Sequence, residues 1–355
     1  MSLQYQTSNH SADCAAILPL SHSQEEGQIR IVLCLASDTH YVPHLATAMA
    51  SILKNRHKSD LIHFYILDDG ITGEQKINLN GLSYLSTFRI DYVDVKTILL
   101  QNQSASTLLG RVPLSSHISI TSLGRLFISE LIPHENRIIY LDCDIIVKCS
   151  LSALYLKDMK DHIILGTRDI ASPMLAEKLG VRRYINSGVL LMNLEKMRSE
   201  NTINRILQWT AQNIQSIKLG DQDIINGALE NYIGNLSDKW NVQELRRKTR
   251  FSLQTNPAII HYIGKHTPWK ETGRTRPYAE EYFHYLALTA FGKHHTEPAH
   301  YTLKQRLYEL KQQLKKTLLV IISPLFSRER SLYETYNTYR LLCFRFKKKR
   351  DFSSR

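Results

Sequence analysis

Apolar residues crowd into a short run near the start of the chain, Ile29-Arg-Ile-Val-Leu-Cys-Leu-Ala36, and this β-rich pattern predicts a strand. Leu45, Ala48, Met49 and Ile52 then recur at helical spacing, so the two stretches read as one βα unit. A second strand, Leu61-Ile-His-Phe-Tyr-Ile-Leu67, ends in Asp68-Asp69-Gly70, and after a helical stretch a third strand-like run spans Phe88 to Val95. The pattern next predicts a helix over Ser122 to Leu131. It is followed by a buried central strand, Arg137-Ile-Ile-Tyr-Leu-Asp-Cys-Asp-Ile-Ile-Val147, interrupted by two acids. His162 to Thr167 and Val189 to Met192 read as strands, Ile203 to Ile214 and Gln222 to Leu229 as helices, and Pro257 to Ile263 as the last strand near the sheet. Strands alternating with helices imply an α/β fold whose sheet has substantial parallel character. No repeat of fixed period is present.

Beyond Tyr301 the pattern changes. Leu303, Leu307, Leu310, Leu314 and Leu318 recur every three or four residues with Lys304, Arg306, Lys311, Lys315 and Lys316 between them, which predicts a basic amphipathic helix. After Pro324, aromatics and bases interleave: Tyr333, Tyr336, Tyr339, Phe344 and Phe346 with Arg340, Arg345 and Lys347 to Arg350.

Composition narrows the picture. At 355 residues and 43 % apolar the chain can bury a substantial core. Its 5 cysteines, Cys14, Cys34, Cys143, Cys149 and Cys343, are scattered and lack a Cys-x-x-Cys spacing, which fits a reducing compartment better than a disulfide or zinc scaffold. Residues 1–28 lack the basic and apolar regions of a secretory signal and are expected to form a flexible leader. The longest apolar run near the end, Leu318 to Phe326, is far short of the roughly 20 residues a spanning helix needs. Of the formal charge of +12, +10 falls within residues 303–355, where 14 Lys and Arg face 4 Asp and Glu. The basic character therefore belongs to the tail and not to the body.

The sharpest chemical signal is Tyr140-Leu-Asp142-Cys-Asp144. Carboxylates at i and i+2 on an extended segment point to one side and can jointly engage a hard divalent cation. Two acids at a solvated strand end are the ordinary alternative. Five apolar residues among the six flanking the pair weigh against it, because acids in an apolar strand are costly unless paired or bound to metal.

Six motifs in order resemble glycosyltransferase family 8, the retaining galactosyl- and glucosyltransferases of bacterial lipooligosaccharide and lipopolysaccharide cores. They are Ala36-Ser-Asp38-Thr-His-Tyr41, His117-Ile-Ser-Ile-Thr-Ser-Leu-Gly-Arg125, Asp142 with Asp144, Asn186-Ser-Gly-Val-Leu-Leu-Met-Asn193, Asp221-Gln-Asp223, and His261-Tyr-Ile-Gly264 before Pro268-Trp269. The resemblance, over about Ile29 to Trp269, implies a GT-A fold with a mixed, largely parallel sheet flanked by helices. It further implies a UDP-sugar donor and a manganese or magnesium ion held by Asp142, Asp144 and His261. It puts Ala36, Asp38 and His40 at the uracil and ribose end, with His40 standing where the family commonly has Asn. Arg125, Asp169 and Asn186 match positions holding the donor sugar. Asp221 and Gln222 lie nearest the anomeric carbon, and Gly264 gives the backbone close approach to the diphosphate. His117 and Thr121 fall on the loop and helix start facing donor and acceptor. Each residue also has a structural alternative: Asp38 or Asp221 as a helix cap, Arg125 and Asp169 as an ion pair, His261 as a satisfied histidine.

The chain departs from the family pattern at Thr267, where many relatives have lysine before Pro-Trp. Lys265 is then either a substitute phosphate clamp or a solvated loop residue. The expected organisation is a leader over 1–28, a catalytic domain over 29–302 and a membrane-associating tail over 303–355. The expected partners are a UDP-hexose, a saccharide acceptor carried on lipid and an anionic membrane surface, with no nucleic acid, on the cytoplasmic side of the inner membrane. Two other readings are weighed. A sugar-nucleotide pyrophosphorylase should carry a glycine-rich phosphate loop where this chain has Ala36 to Tyr41. A non-enzymatic membrane or nucleic-acid binding module leaves the embedded acids unexplained.

Overall fold

The computed structural model describes residues 27–101, 106–107, 120–243, 256–264, 267–270, 273–274 and 278–292. All lie in the first of the two units into which the chain divides, Met1–Lys293. The leader before residue 27, the tail, His117 and Lys265 fall outside the described residues, so the expectations for them are not met or refused here.

Ten strands are described: β1 (Ile29–Asp38), β2 (Asp60–Asp69), β3 (Phe88–Asp94), β4 (Arg137–Leu141), β5 (Ile145–Val147), β6 (Ile164–Arg168), β7 (Ile185–Asn193), β8 (Ile233–Asn235), β9 (Val242–Gln243) and β10 (Ile259–His261). Seven form one sheet in the order β3-β2-β1-β4-β7-β6-β8, and β5-β10-β9 form a second. In the large sheet β1 pairs in parallel with β2 and β4, β2 with β3, and β6 with β8. Only β7 runs against its neighbours β4 and β6. The sheet is thus mixed and largely parallel, as the pattern predicts.

Both faces of the sheet are covered, which explains why β1 reads as a continuous apolar run instead of an alternation. Ile31, Leu33 and Leu35 pack with Leu45, Met49 and Ile52 of the helix Val42–Asn55. Val32 and Cys34 pack on the other face with Tyr140, Leu126, Phe127 and Ile224. Seven short elements had no legible signal: β8, β9 and the helices Val95–Gln101, Ser152–Tyr155, Ser172–Leu179, Leu194–Ser199 and Ala279–Leu286. The helix over Ser122 to Leu131 is interrupted, an α turn Ile120–Gly124 tightening into a 3₁₀ turn Arg125–Phe127 before Ile128–Leu131. The last strand is shorter than Pro257 to Ile263 and belongs to the small sheet.

Because β1 has β2 on one side and β4 on the other, the chain changes winding direction between β1 and β4. In open α/β sheets the crevice at the carboxyl ends of such strands is where ligands bind. Among the described residues no helix is long and apolar enough to cross a membrane.

Candidate active site

The run from Arg137 to Val147 is not one strand. β4 pairs with β7 in the large sheet, β5 pairs with β10 in the small one, and Asp142, Cys143 and Asp144 form the bend between them. Asp142 N–H donates to Gly188 O at 2.8 Å, extending the β4–β7 ladder, while Asp144 O accepts from Tyr262 N–H at 2.9 Å beside β10. Cys143 Sγ donates to Ala36 O at 3.1 Å at the end of β1. Competition between two partner strands splits the run, and each acid hangs at the margin of a different sheet.

The bend still brings both carboxylates together. Asp144 Oδ1 lies 3.1 Å and Asp142 Oδ2 3.7 Å from His261 Nε2. One ligand atom from each of the three falls within 4.8 Å of the others. Gly188 makes the space: a Cβ there would come 2.2 Å from His261 Cε1 and 2.7 Å from Asp142 Oδ2. Burial pushes the His261 imidazole down, but the Asp144 and Asp142 carboxylates outweigh it and lift its pKa above the ordinary value. Burial likewise raises the Asp142 carboxyl, yet Arg125 and His261 hold it below the usual range. Two hard oxygen donors and an imidazole in a cradle lacking a side chain fit a divalent cation such as Mn2+ or Mg2+.

Arg125 is buried beneath this cluster. Its Nη2 bonds Asp142 Oδ1 at 3.0 Å, its Nε bonds Asp221 Oδ2 at 3.1 Å, and its Nη1 donates to Ser187 O at 3.0 Å. The guanidinium also lies 4.4 Å over the Tyr140 ring, whose hydroxyl donates to Asp142 Oδ1 at 3.1 Å. Arg125 therefore does not pair with Asp169. Asp221 is not a helix cap either, since Gly220 (φ 59°) precedes the helix Asp221–Ala228 with no side-chain cap. At 5 % exposure Asp221 is driven up to about 6 by burial, despite Arg125.

The remaining sugar-end residues form one network. Asn186 Nδ2 donates to Asp169 Oδ2 at 3.0 Å and to Gln222 Oε1 at 3.2 Å. Gln222 Oε1 also accepts from Ser187 N–H at 3.0 Å. Asp169 turns its other oxygen, Oδ1, to the Ala171 N–H at 2.8 Å.

At the end of β1, Asp38 Oδ1 accepts from the His40 and Tyr41 N–H groups at 2.9 Å, so it does brace the turn into the first helix. His40 is exposed. Thr121 Oγ1 donates to Asp69 Oδ2 at 2.6 Å. Gly264 adopts φ 85° with open space around it, so it is the left-handed backbone that requires glycine. Thr267 is buried, with a hydroxyl that has no hydrogen-bond partner among the described residues.

Sequence reasoning passed over four residues that the structure brings to the site. Tyr41, 46 % exposed, follows the turn that Asp38 braces, and burial foremost, then Asp144, Cys143, Asp38 and Asp142, raises its pKa. Ser187 Oγ donates to Asp221 Oδ2 at 3.1 Å. Gln243 braces the Asp169 loop, donating to Arg168 O at 3.0 Å and accepting from Ile170 N–H at 2.8 Å. Asn241 lies between His261 and Asn186. Tyr41 and Ser187 lie inside quoted motifs, but Asn241 ends a four-residue turn and Gln243 belongs to the two-residue strand that follows it, and neither element is long enough to show a period.

Comparisons with known proteins bear on the family and the fold. A family model described as "Glycosyl transferase family 8" matches residues 32–273. General stress protein A of Bacillus subtilis is 27 % identical over 280 residues, 74 % of this chain and 94 % of that protein. Glycosyltransferase GlyE of Streptococcus pneumoniae is 28 % identical over 259 residues, 70 % of this chain and 59 % of its own. Among solved structures, the galactosyltransferase LgtC in complex with donor and acceptor sugar analogues aligns with a TM-score of 0.62 at 24 % identity, covering 76 % of this chain and 99 % of that one. The fold is the GT-A type.

Proposed function

The chain belongs to glycosyl transferase family 8, and from that premise we propose that it moves a hexose, galactose or glucose, from a UDP-sugar to a saccharide acceptor with retention of configuration. The observation that carries the reading is the convergence of Asp142, Asp144 and His261 from two sheets, beside the Asp169–Asn186–Gln222 network. That the LgtC structure holds donor and acceptor sugar analogues supports it.

Asp142, Asp144 and His261 would hold a divalent cation, which would supply positive charge to offset that of the departing UDP. Arg125 and Tyr140 occupy Asp142 Oδ1, so Oδ2 is the oxygen Asp142 would present to it. Asp38 and His40 receive the nucleoside end, and the exposed Tyr41 ring gives the base a stacking surface. The backbone at Ala36 and Gly264 lets the nucleotide approach closely, and Lys265 assists the phosphates in place of a lysine at Thr267. Asp169, Asn186 and Gln222 hold the sugar hydroxyls. Of Asp221 and Gln222, the second meets the sugar: Asp221 is 5 % exposed and bonded to Arg125 and Ser187. Gln222 turns its carbonyl oxygen inward onto Ser187 N–H, leaving a neutral amide as a hydrogen-bonding group and no carboxylate in the nucleophile's place. A same-face displacement through an oxocarbenium-like transition state is the simplest chemistry for this arrangement.

The acceptor in this reading is a lipid-linked core saccharide. Residues 303–355, with a charge of +10, hold the enzyme to an anionic cytoplasmic membrane surface, where each nearby Lys or Arg contributes about 1 kcal/mol. Vesicle sedimentation of full-length protein against a chain ending at Tyr301 tests this; equal non-binding at low salt refutes it.

Incubation with a panel of UDP-sugars and Mn2+ tests the activity. The expected result is UDP release from UDP-galactose or UDP-glucose, lost with a chelator, and an acceptor product of unchanged anomeric configuration. Release that ignores the chelator overturns metal assistance, and pyrophosphate in place of UDP overturns the transferase reading.

A further inference from the structure

Asn241 is fully buried at the end of the turn Asp238–Asn241, just before β9, and touches both halves of the site. Its Oδ1 lies 3.0 Å from His261 Nδ1 and its Nδ2 lies 2.9 Å from Asn186 Oδ1. We propose that Asn241 is a positioning residue that fixes the His261 ring with Nε2 open toward Asp142 and Asp144 and couples that ring to the side chains that hold the sugar. The inference rests on the metal-assisted reading above.

The orientation of an amide or imidazole is settled by its hydrogen-bond network, and here the network starts from a group that leaves no choice. A backbone N–H can only donate. Gly188 N–H lies 3.0 Å from Asn186 Oδ1, so that atom is the carbonyl oxygen. Asn186 Nδ2 is then the donor, which matches its bonds to Asp169 Oδ2 and Gln222 Oε1. The Asn241 atom facing Asn186 Oδ1 must itself donate, so it is the NH2 group. Asn241 therefore turns its oxygen to His261, and Nδ1 must carry the proton. In the neutral ring this leaves the Nε2 lone pair directed at the two carboxylates, the tautomer that a cation at that point requires. Flipping Asn241 would set its carbonyl oxygen against that of Asn186, with no proton between them. A continuous path, His261–Asn241–Asn186–Gln222, thus joins the diphosphate end to the sugar end.

Two variants separate the roles. Asn241→Leu removes both bonds, while Asn241→Asp keeps an acceptor for His261 Nδ1–H but sets a carboxylate oxygen against Asn186 Oδ1. Mn2+ affinity in the presence of UDP, read from the electron paramagnetic resonance of free Mn2+, should fall about 10- to 100-fold in Asn241→Leu, the usual cost of losing a partner behind a metal-bound histidine. It should stay at the parent's level in Asn241→Asp, whereas kcat/KM for the UDP-sugar falls in both. A residue that merely stabilised the fold would not split metal affinity from turnover in this way. His261→Ala is the control. If it weakens Mn2+ binding while Asn241→Leu does not, the relay is wrong and the metal reading stands. If His261→Ala also binds Mn2+ as the parent does, the metal reading falls and takes the relay with it. Should Asn241→Leu fail to fold, loss of Mn2+ affinity in Asn241→Asp overturns the proposal.

Discussion

Two clusters of similar composition lie at opposite ends of the large sheet. Toward the amino ends of β1 and β2, His63 is buried between Arg30 and Asp91, with Glu135, Tyr65 and Arg89 around them. Arg30 Nη2 donates to His63 Nδ1 at 2.6 Å, and His63 Nε2 donates to Asp91 Oδ2 at 2.7 Å. Arg30 also pairs with Glu135, which accepts from Tyr65 OH at 2.9 Å, and Arg89 pairs with Asp91 at 3.0 Å. Two arginines thus meet two carboxylates, and the histidine between them is satisfied as a neutral ring. At the carboxyl end, among the described residues, Arg125 alone faces Asp142 and Asp221, while His261 faces Asp142 and Asp144. Among those residues the negative charge is in excess. Histidine, arginine and aspartate are present in both places, so residue type does not distinguish a cation site from a self-contained network; the balance of charge does.

The comparison is broken most severely by removing the arginine from each cluster. Arg125→Met leaves Asp142 and Asp221 without their buried counter-charge, and breaking one side of a buried ionic cluster costs about 3–5 kcal/mol. Arg30 has a side chain 41 % exposed, so Arg30→Met should cost only about 1 kcal/mol. Urea denaturation of the two variants measures the difference, and similar losses would mean that charge excess does not set the two sites apart.

Neutralising the acids sharpens the same contrast in activity. Asp142→Asn or Asp144→Asn should lower transfer about 10²–10³-fold, as removal of one preorganised electrostatic group does, with the fold kept. His63→Gln should leave transfer unchanged, since its ring is satisfied without a ligand. UDP release across a Mn2+ titration reads both. Near-parent activity in both aspartate variants with a chelator present would remove the cation from the account.

The fold and the core of the site were legible in the sequence for a shared reason. The strands β1, β2 and β7 are long and largely apolar, and the acid pair is anomalous because it interrupts such a run. What the periodicity concealed was partnership. Residues 137–147 look like one strand because apolarity records burial and not the sheet that does the burying, so the change of sheet at Cys143 leaves no trace. The partners of Arg125 were hidden similarly: the ion pair with Asp169 is equally plausible on paper, and only the helix Asp221–Ala228 packing beneath β7 brings Asp221 to the guanidinium instead. Asn241 and Gln243 were out of reach because a four-residue turn and the two-residue strand after it have no period.

The smallest effect, and the one with opposite signs at the two ends, is the dependence of stability on pH. Burial lifts Asp221 from 3.8 to about 6 even with Arg125 beside it, so the folded protein holds this proton more tightly than the unfolded chain. The stability it contributes is complete below about 3.8 and is lost as pH rises through about 6, by no more than about 3 kcal/mol. His63 runs the other way. Burial lowers its pKa from 6.5, with Asp91 opposing and Arg30 adding to the shift, so the unfolded chain takes up the proton first. Its contribution is complete above about 6.5 and is lost as pH falls below that value. Urea denaturation of the parent, Asp221→Asn and His63→Gln between about pH 4 and 7 separates the two. Relative to Asp221→Asn the parent should weaken as pH rises, and relative to His63→Gln it should weaken as pH falls. Slopes of the same sign would mean that one cluster does not carry the charge balance assigned to it, and a flat comparison with Asp221→Asn would mean that Arg125 offsets the burial of Asp221 fully and keeps its carboxylate ionised.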